Sequence, residues 1–251
     1  MIFHLAVFFW SIVFLLGLEI AVLHPAFATL HWYLWSIGAL IFSSLLAIKR
    51  LTGILKEAFI PILLSVACPT LLSLIDLPGE RQLFVLFSGI MYYFALLGNY
   101  RLRHAPKDKT AEAFLNASAM AAMFFFYASL YGFYLNFSFP VVGLIALYFI
   151  GTALTSYETF ITVDKKDQGR VVLYSVILGL IMGEMAWVMS FWPFGYLTTG
   201  ALGVIIFFLI WDIAFDAFRE TLSLRKATLR IIFFLALILL LLISSPWRIL
   251  V

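Results

Sequence analysis

Hydrophobic positions in this chain come in long unbroken blocks rather than in the two-residue alternation of strands. An α-helix needs about 17–25 predominantly apolar residues to cross a hydrocarbon core of roughly 30 Å. Nine blocks approach that length: Ile2–Leu23, Leu30–Ile48, Ala58–Leu77, Gln82–Tyr100, Ala111–Leu135, Phe139–Val163, Val171–Trp192, Gly195–Phe218 and Leu229–Ser245. The third carries Pro69 in its interior, which predicts a kink, and the ninth is short. The expected fold is therefore an all-α polytopic bundle of about nine spans. An eight-span variant, with the last segment lying in the interface, is the alternative. The connections are too short to fold separately, so residues 1–251 read as a single integral-membrane domain with no soluble domain.

Polar punctuation separates the blocks in two styles. One set of turns is short and rich in proline and aromatics: His24-Pro25 ahead of His31-Trp32, Leu77-Pro78-Gly79, Phe137-Ser138-Phe139-Pro140 and Trp192-Pro193. Proline fixes its own φ and disfavours helix in the residue before it, and Trp and Tyr favour the headgroup level. The other set is basic: Lys49, Arg50 and Lys56; Arg101, Arg103, Lys107 and Lys109; Lys165, Lys166 and Arg170; Arg219, Arg225, Lys226 and Arg230. The exceptions are Arg81 and Arg248. An excess of Lys and Arg marks cytoplasmic loops, which predicts a cell-membrane protein with its N-terminus and basic loops inside and its C-terminus outside. The repeating hairpin rhythm fits tandem duplication or any polytopic chain with short loops.

Composition agrees with lipid as solvent: 65% of residues are hydrophobic and only 12% charged, against the roughly 25–35% charged surface a soluble domain of this size carries. The net charge of +3 is scattered over loops and forms no nucleic-acid-binding face. A lone Cys68 excludes an intramolecular disulfide and a CxxC pair. The first block lacks a basic leader and a small-residue cleavage site, so it is expected to remain as the first helix. His4, His24, His31 and His104 lie at block ends or in loops, without HExxH or Glu-x-x-His spacing, so no metal site and no cofactor is expected. P-loop, GxGxxG and GxSxG signatures are missing, and Asp212-x3-Asp216 is the only spacing from which a Mg²⁺ enzyme could start. No Lys lies mid-block to form a Schiff base. Enzymatic activity is accordingly the less favoured reading.

Intramembrane acids are the remaining candidates, because charge at that depth is expensive and marks function by default. At a rise of about 1.5 Å per residue, Glu19 and Glu184 fall about 25 and 20 Å from the inner edge, an outer tier. Glu158 and Asp212 fall within about 10 Å of it, with Asp216 one turn lower. Two tiers resemble a proton or cation path. The competing reading is structural: Asp216 precedes Arg219 by three positions, and interfacial ion pairs would account for the inner acids. Glu184 lies beside a small-residue stripe, Ser175, Gly179 and Gly183, that lets a second helix approach closely, so its side chain is expected to face protein. Block six has a comparable polar face: Gly151, Thr152, Thr155, Ser156, Glu158 and Thr159. Asn99, Asn116 and Ser118 are further candidate wall residues.

Through Gly183-Glu184-x2-Trp187, Trp192-Pro193 and Gly200, the last half of the chain resembles uncharacterised multi-spanning bacterial membrane proteins. That resemblance implies a helical membrane fold and no activity.

Three functions are compatible with these features. The first is a small-solute or proton-coupled transporter, with Glu184 as its titrating group and Glu19, Glu158 and Asp212 along the path. The second is a non-catalytic subunit that assembles in the bilayer with other membrane subunits or with copies of itself. The third is a membrane-embedded lipid-acting enzyme. Convergence of the acids favours transport; their dispersal over separate helix contacts favours assembly.

Overall fold

The structure, a computed structural model, describes residues 2–23, 30–105, 107–137, 139–163 and 167–245. His24-Pro25, Ser138, Lys165, Lys166, Arg248 and Val251 lie outside them. Among the described residues regular structure is entirely helical: α1 (Ile2–Leu23), α2 (Leu30–Leu51), α3 (Phe59–Leu72), α4 (Pro78–His104), α5 (Lys109–Asn136), α6 (Val141–Val163), α7 (Gln168–Met189), α8 (Tyr196–Phe218) and α9 (Leu224–Ser244), with a 3₁₀ turn, Leu55–Ala58, ahead of α3. Eight of the nine are long and apolar enough to cross a membrane. The fold is a polytopic helical bundle.

The short helix is α3, not the last one. It has 14 residues where the hydrophobic block predicts about twenty, and α9 has 21 where a shorter segment is expected. Two features shorten α3. The 3₁₀ turn takes up the start of the block, and Pro69 removes an N–H from the last turn, leaving the helix to end at Leu72. Ten of its fourteen residues are buried, so protein rather than lipid surrounds it and its length need not match the bilayer. At the other extreme, no residue of α9 is buried.

Helix ends follow local chemistry. Gly53, at φ 75°, stops α2 in the left-handed conformation that glycine adopts without cost. Pro78 opens α4 in the first turn, where its missing N–H is harmless. Asp108 accepts from the amides of Thr110 and Ala111 at the start of α5, and Asp167 accepts from Arg170 N at the start of α7. The C-terminus of α8 closes with Thr221 N bonded to Asp216 O and Glu220 N to Ala217 O, with Glu220 left-handed at φ 59°.

Two compact units divide the chain, residues 1–126 and 127–251, with α5 contributing to each. In the first, α1 packs on α2 and α4, and α3 lies among α1, α2 and α4. Phe14 of α1 stacks on Tyr92 of α4 with ring centres 4.0 Å apart. In the second, α6 and α7 form the most extensive helix pair, α7 continues onto α8, and α8 onto α9.

Candidate functional site

Close helix approach sets the geometry of the second unit. The Ser175, Gly179 and Gly183 stripe is buried against α6. A methyl group on Gly179 would lie 2.8 Å from the Phe149 carbonyl oxygen and 3.0 Å from Ala153 Cβ, and one on Gly183 would touch Ile145 and Phe149. Gly200 brings α8 just as close to Ala128 of α5. Backbones this near leave no room for solvent between the helices.

That packing determines where Glu184 points, and the expectation that it faces protein is corrected. Glu184 is exposed. Each helical residue advances about 100° around the axis, so the residue after Gly183 swings off the α6-facing side onto the opposite one. Its neighbours there are Leu173, Ile177, Leu180, Trp187 and Phe191, all exposed. Glu184, the acid of α7, thus lies on an outward apolar face, five residues before the end of the helix.

The other acids go to different partners. Glu19, in the first unit, accepts from Gln82 Nε2 at 3.3 Å. Asp212 and Asp216 of α8 share one cation, Arg230 of α9, at 2.8 and 2.6 Å, with all three side chains part-buried. Arg219, the cation three positions after Asp216, lies over the Phe215 ring, 4.1 Å from its centre. Two carboxylates and one guanidinium leave the cluster one negative charge in excess. Glu158 is half-buried on α6. Among the described residues no group of three or more His, Cys, Asp or Glu side chains is arranged to hold a metal ion.

Buried polar groups form hydroxyl chains inside each unit, and of their members only Thr152 and Thr159 are among the candidates read from the sequence. Ser65 donates to Pro61 O at 2.8 Å, so it accepts from Ser44 at 2.7 Å, and Ser44 in turn accepts from Tyr92 at 2.7 Å. This chain, Tyr92 to Ser44 to Ser65, ties α4, α2 and α3 together. In the second unit Thr152 donates to Tyr148 O at 2.7 Å and accepts from Tyr127 OH at 2.6 Å, while Tyr148 OH donates back to Tyr127 O. Tyr131 OH reaches Met189 O at 2.9 Å, and Trp211 Nε1 reaches Thr159 Oγ1 at 3.0 Å. Much of the polar face of α6 is therefore spent on neighbouring helices. Asn99 donates to the Glu57 carbonyl, and Ser118 bonds within its own helix. Serine, threonine and tyrosine at helical spacing were the available signal, but which helices they join depends on packing the sequence does not display.

Chemically, both hydroxyl chains run from a phenol to a backbone carbonyl. A carbonyl accepts a hydrogen bond without passing a proton on, so each chain terminates there. Their consequence is cohesion: interhelical hydrogen bonds in lipid contribute on average about 0.6 kcal/mol each.

No curated protein and no solved structure matches this chain. A family model does, over residues 8–244, nearly the whole of the helical fold described above. The chain belongs to that family, described as "Protein of unknown function (DUF5656)".

Proposed function

We propose that the protein is a non-catalytic integral-membrane subunit, lying in the cell membrane with its basic loops cytoplasmic and acting by assembly with other helices. The observation that carries this reading is the placement of Glu184. The group best suited to be the centre of a transport path lies on the outward apolar face of α7. Within the second unit Asp212 meets Arg230 while Glu184 lies on the outward face of α7, and within the first unit Glu19 meets Gln82, so each acid has its own local setting. Carboxylates that share a conduction path need a continuous run of water or titratable partners. The hydroxyl chains end on carbonyls, and the small-residue stripe is used for packing. Transport as the first-ranked function loses its premise on these grounds, while outward polar and apolar surface in α7 and α9 is what an assembling subunit presents.

The test is proton flux in liposomes loaded with a pH-sensitive dye, run beside recovery of the chain from native membranes under mild detergent. Assembly predicts no conductance above protein-free vesicles, no response to Glu184→Gln or Asp212→Asn, and a native particle larger than one chain. A conductance abolished by either substitution would replace assembly with transport.

A further inference from the structure

Along the exposed side of α7, and into the turn that follows it at Phe191, the residues Leu173, Ile177, Leu180, Glu184, Trp187 and Phe191 follow one another at intervals of four and three. That is the 3.5-residue repeat of a helix seam that packs against another helix at a shallow left-handed angle. Five of its positions are large and apolar; the sixth is a carboxyl group. The seam is backed by the tight Gly179 and Gly183 contact with α6, which holds this face rigid, and Glu184 is exposed on it. Trp187 and Phe191 are already paired edge to face, with ring centres 5.6 Å apart.

We propose that this face of α7 is a self-association seam, in which the six residues pack against the same six of a second copy and the two Glu184 carboxyls hydrogen-bond to each other. The inference rests on the assembly reading and names its partner. Three considerations select a second copy. A carboxyl left facing acyl chains has nothing to satisfy its donor or acceptors, so lipid is the least favourable occupant. A two-fold axis along the membrane normal brings each residue opposite its own mate at the same depth, so Glu184 meets Glu184 with no further adjustment. A protonated carboxyl carries both a donor and an acceptor and is therefore complementary to itself, whereas a foreign helix would have to supply a cation or amide at this height. A single polar position in an otherwise apolar seam also fixes the register, because any slip buries two unpaired carboxyls.

Cysteine cross-linking tests this directly, since Cys68 is the chain's one cysteine and is fully buried. Ile177→Cys, Leu180→Cys and Trp187→Cys probe the seam; Val172→Cys at its flank and Leu229→Cys on α9 are controls. Oxidation is carried out in native membranes and in liposomes at low protein density. The expected result is disulfide-linked dimer at the three seam positions and little at the controls. Glu184→Leu should weaken association by roughly three- to twenty-fold, the equivalent of one interhelical hydrogen bond in lipid. Glu184→Gln, which keeps a donor and an acceptor, should retain it. Because Glu184 is exposed, the melting temperature of the Glu184→Leu monomer in detergent should match the parent, which separates lost pairing from misfolding. Equal yields at seam and control positions overturn the proposal. Seam cysteines that link only to a different protein overturn self-pairing and leave assembly standing; cysteines that link to nothing, in a chain that is monomeric in native membranes, overturn both.

Discussion

A methyl group at Gly179 would press on the Phe149 carbonyl oxygen, a backbone atom that can yield only if α6 and α7 move apart. Overpacking of this kind typically costs about 1–3 kcal/mol. Gly38, mid-helix in α2, has nothing within 4 Å of the same added atom, and alanine there is worth roughly 0.5–1 kcal/mol of helix propensity. Thermal unfolding of purified variants should therefore move in opposite directions, down for Gly179→Ala and up for Gly38→Ala. Equal shifts would mean that the close α6–α7 approach is not a feature of the folded protein. Glycines cannot be ranked this way from sequence, because both occupy apolar helical surroundings. The stripe of Ser175, Gly179 and Gly183 was legible as a packing surface, but the direction of Glu184 was not. Adjacent positions on a helix differ by about 100°, and the sequence does not say on which side of the stripe the packed sector ends.

At the scale of elements, α9 is attached to α8 along a single side, and the Asp212–Arg230–Asp216 cluster, with a Ser245 to Thr198 hydroxyl contact at 3.4 Å, is the polar part of that attachment. Phe208 and Phe234 add an aromatic contact at 5.5 Å. Removing the shared cation leaves two carboxylates one turn apart on α8 with like charge and no partner. Arg230→Gln should accordingly cost between about 1 kcal/mol, the upper range for exposed pairs, and about 3 kcal/mol, the lower range for buried ones. Limited proteolysis in the Thr221–Ser223 connection reads the loosening of α9. Adding Asp212→Asn and Asp216→Asn to Arg230→Gln should restore protection, because the liability is the uncompensated charge. If the triple variant is as protease-sensitive as Arg230→Gln alone, the cluster holds α9 by shape and not by charge. The partnership was recoverable in principle: Asp212 lies six residues before the end of α8 and Arg230 six after the start of α9, so a tight hairpin sets them level. Grouping Arg230 with the basic loop residues Arg219, Arg225 and Lys226 hides that symmetry. The same limit applied to α3. Hydropathy marks an apolar block, but a helix enclosed by protein reads like one enclosed by lipid, and only length and the 3₁₀ turn separate them.

For the whole molecule, sidedness depends on whether the segment Leu55–Leu72 crosses the bilayer. The 3₁₀ turn contributes about 8 Å and α3 about 21 Å, together close to the roughly 30 Å hydrocarbon thickness. Since α3 is largely buried in protein, a slight shortfall is tolerated. Crossing also agrees with charge within the first unit: it puts the basic ends of α2 and α4 on one face, as the positive-inside rule requires. If α3 did not cross, the Lys49 and Arg50 end of α2 and the Arg101 and Arg103 end of α4 would lie on opposite faces. Single cysteines at Leu55, Gly79, Ala105, Gly195 and Leu222 distinguish the two arrangements, with buried Cys68 as a silent background. In intact cells, an impermeant maleimide should label Gly79→Cys and Gly195→Cys at once. Leu55→Cys, Ala105→Cys and Leu222→Cys should react only after permeabilisation. Four helices, α5 to α8, separate Ala105 from Leu222, so those two must agree whatever α3 does. Labelling of Leu55→Cys from the same side as Gly79→Cys, with the other three unchanged, would make α3 a re-entrant element and reverse the side assigned to α1 and α2 alone.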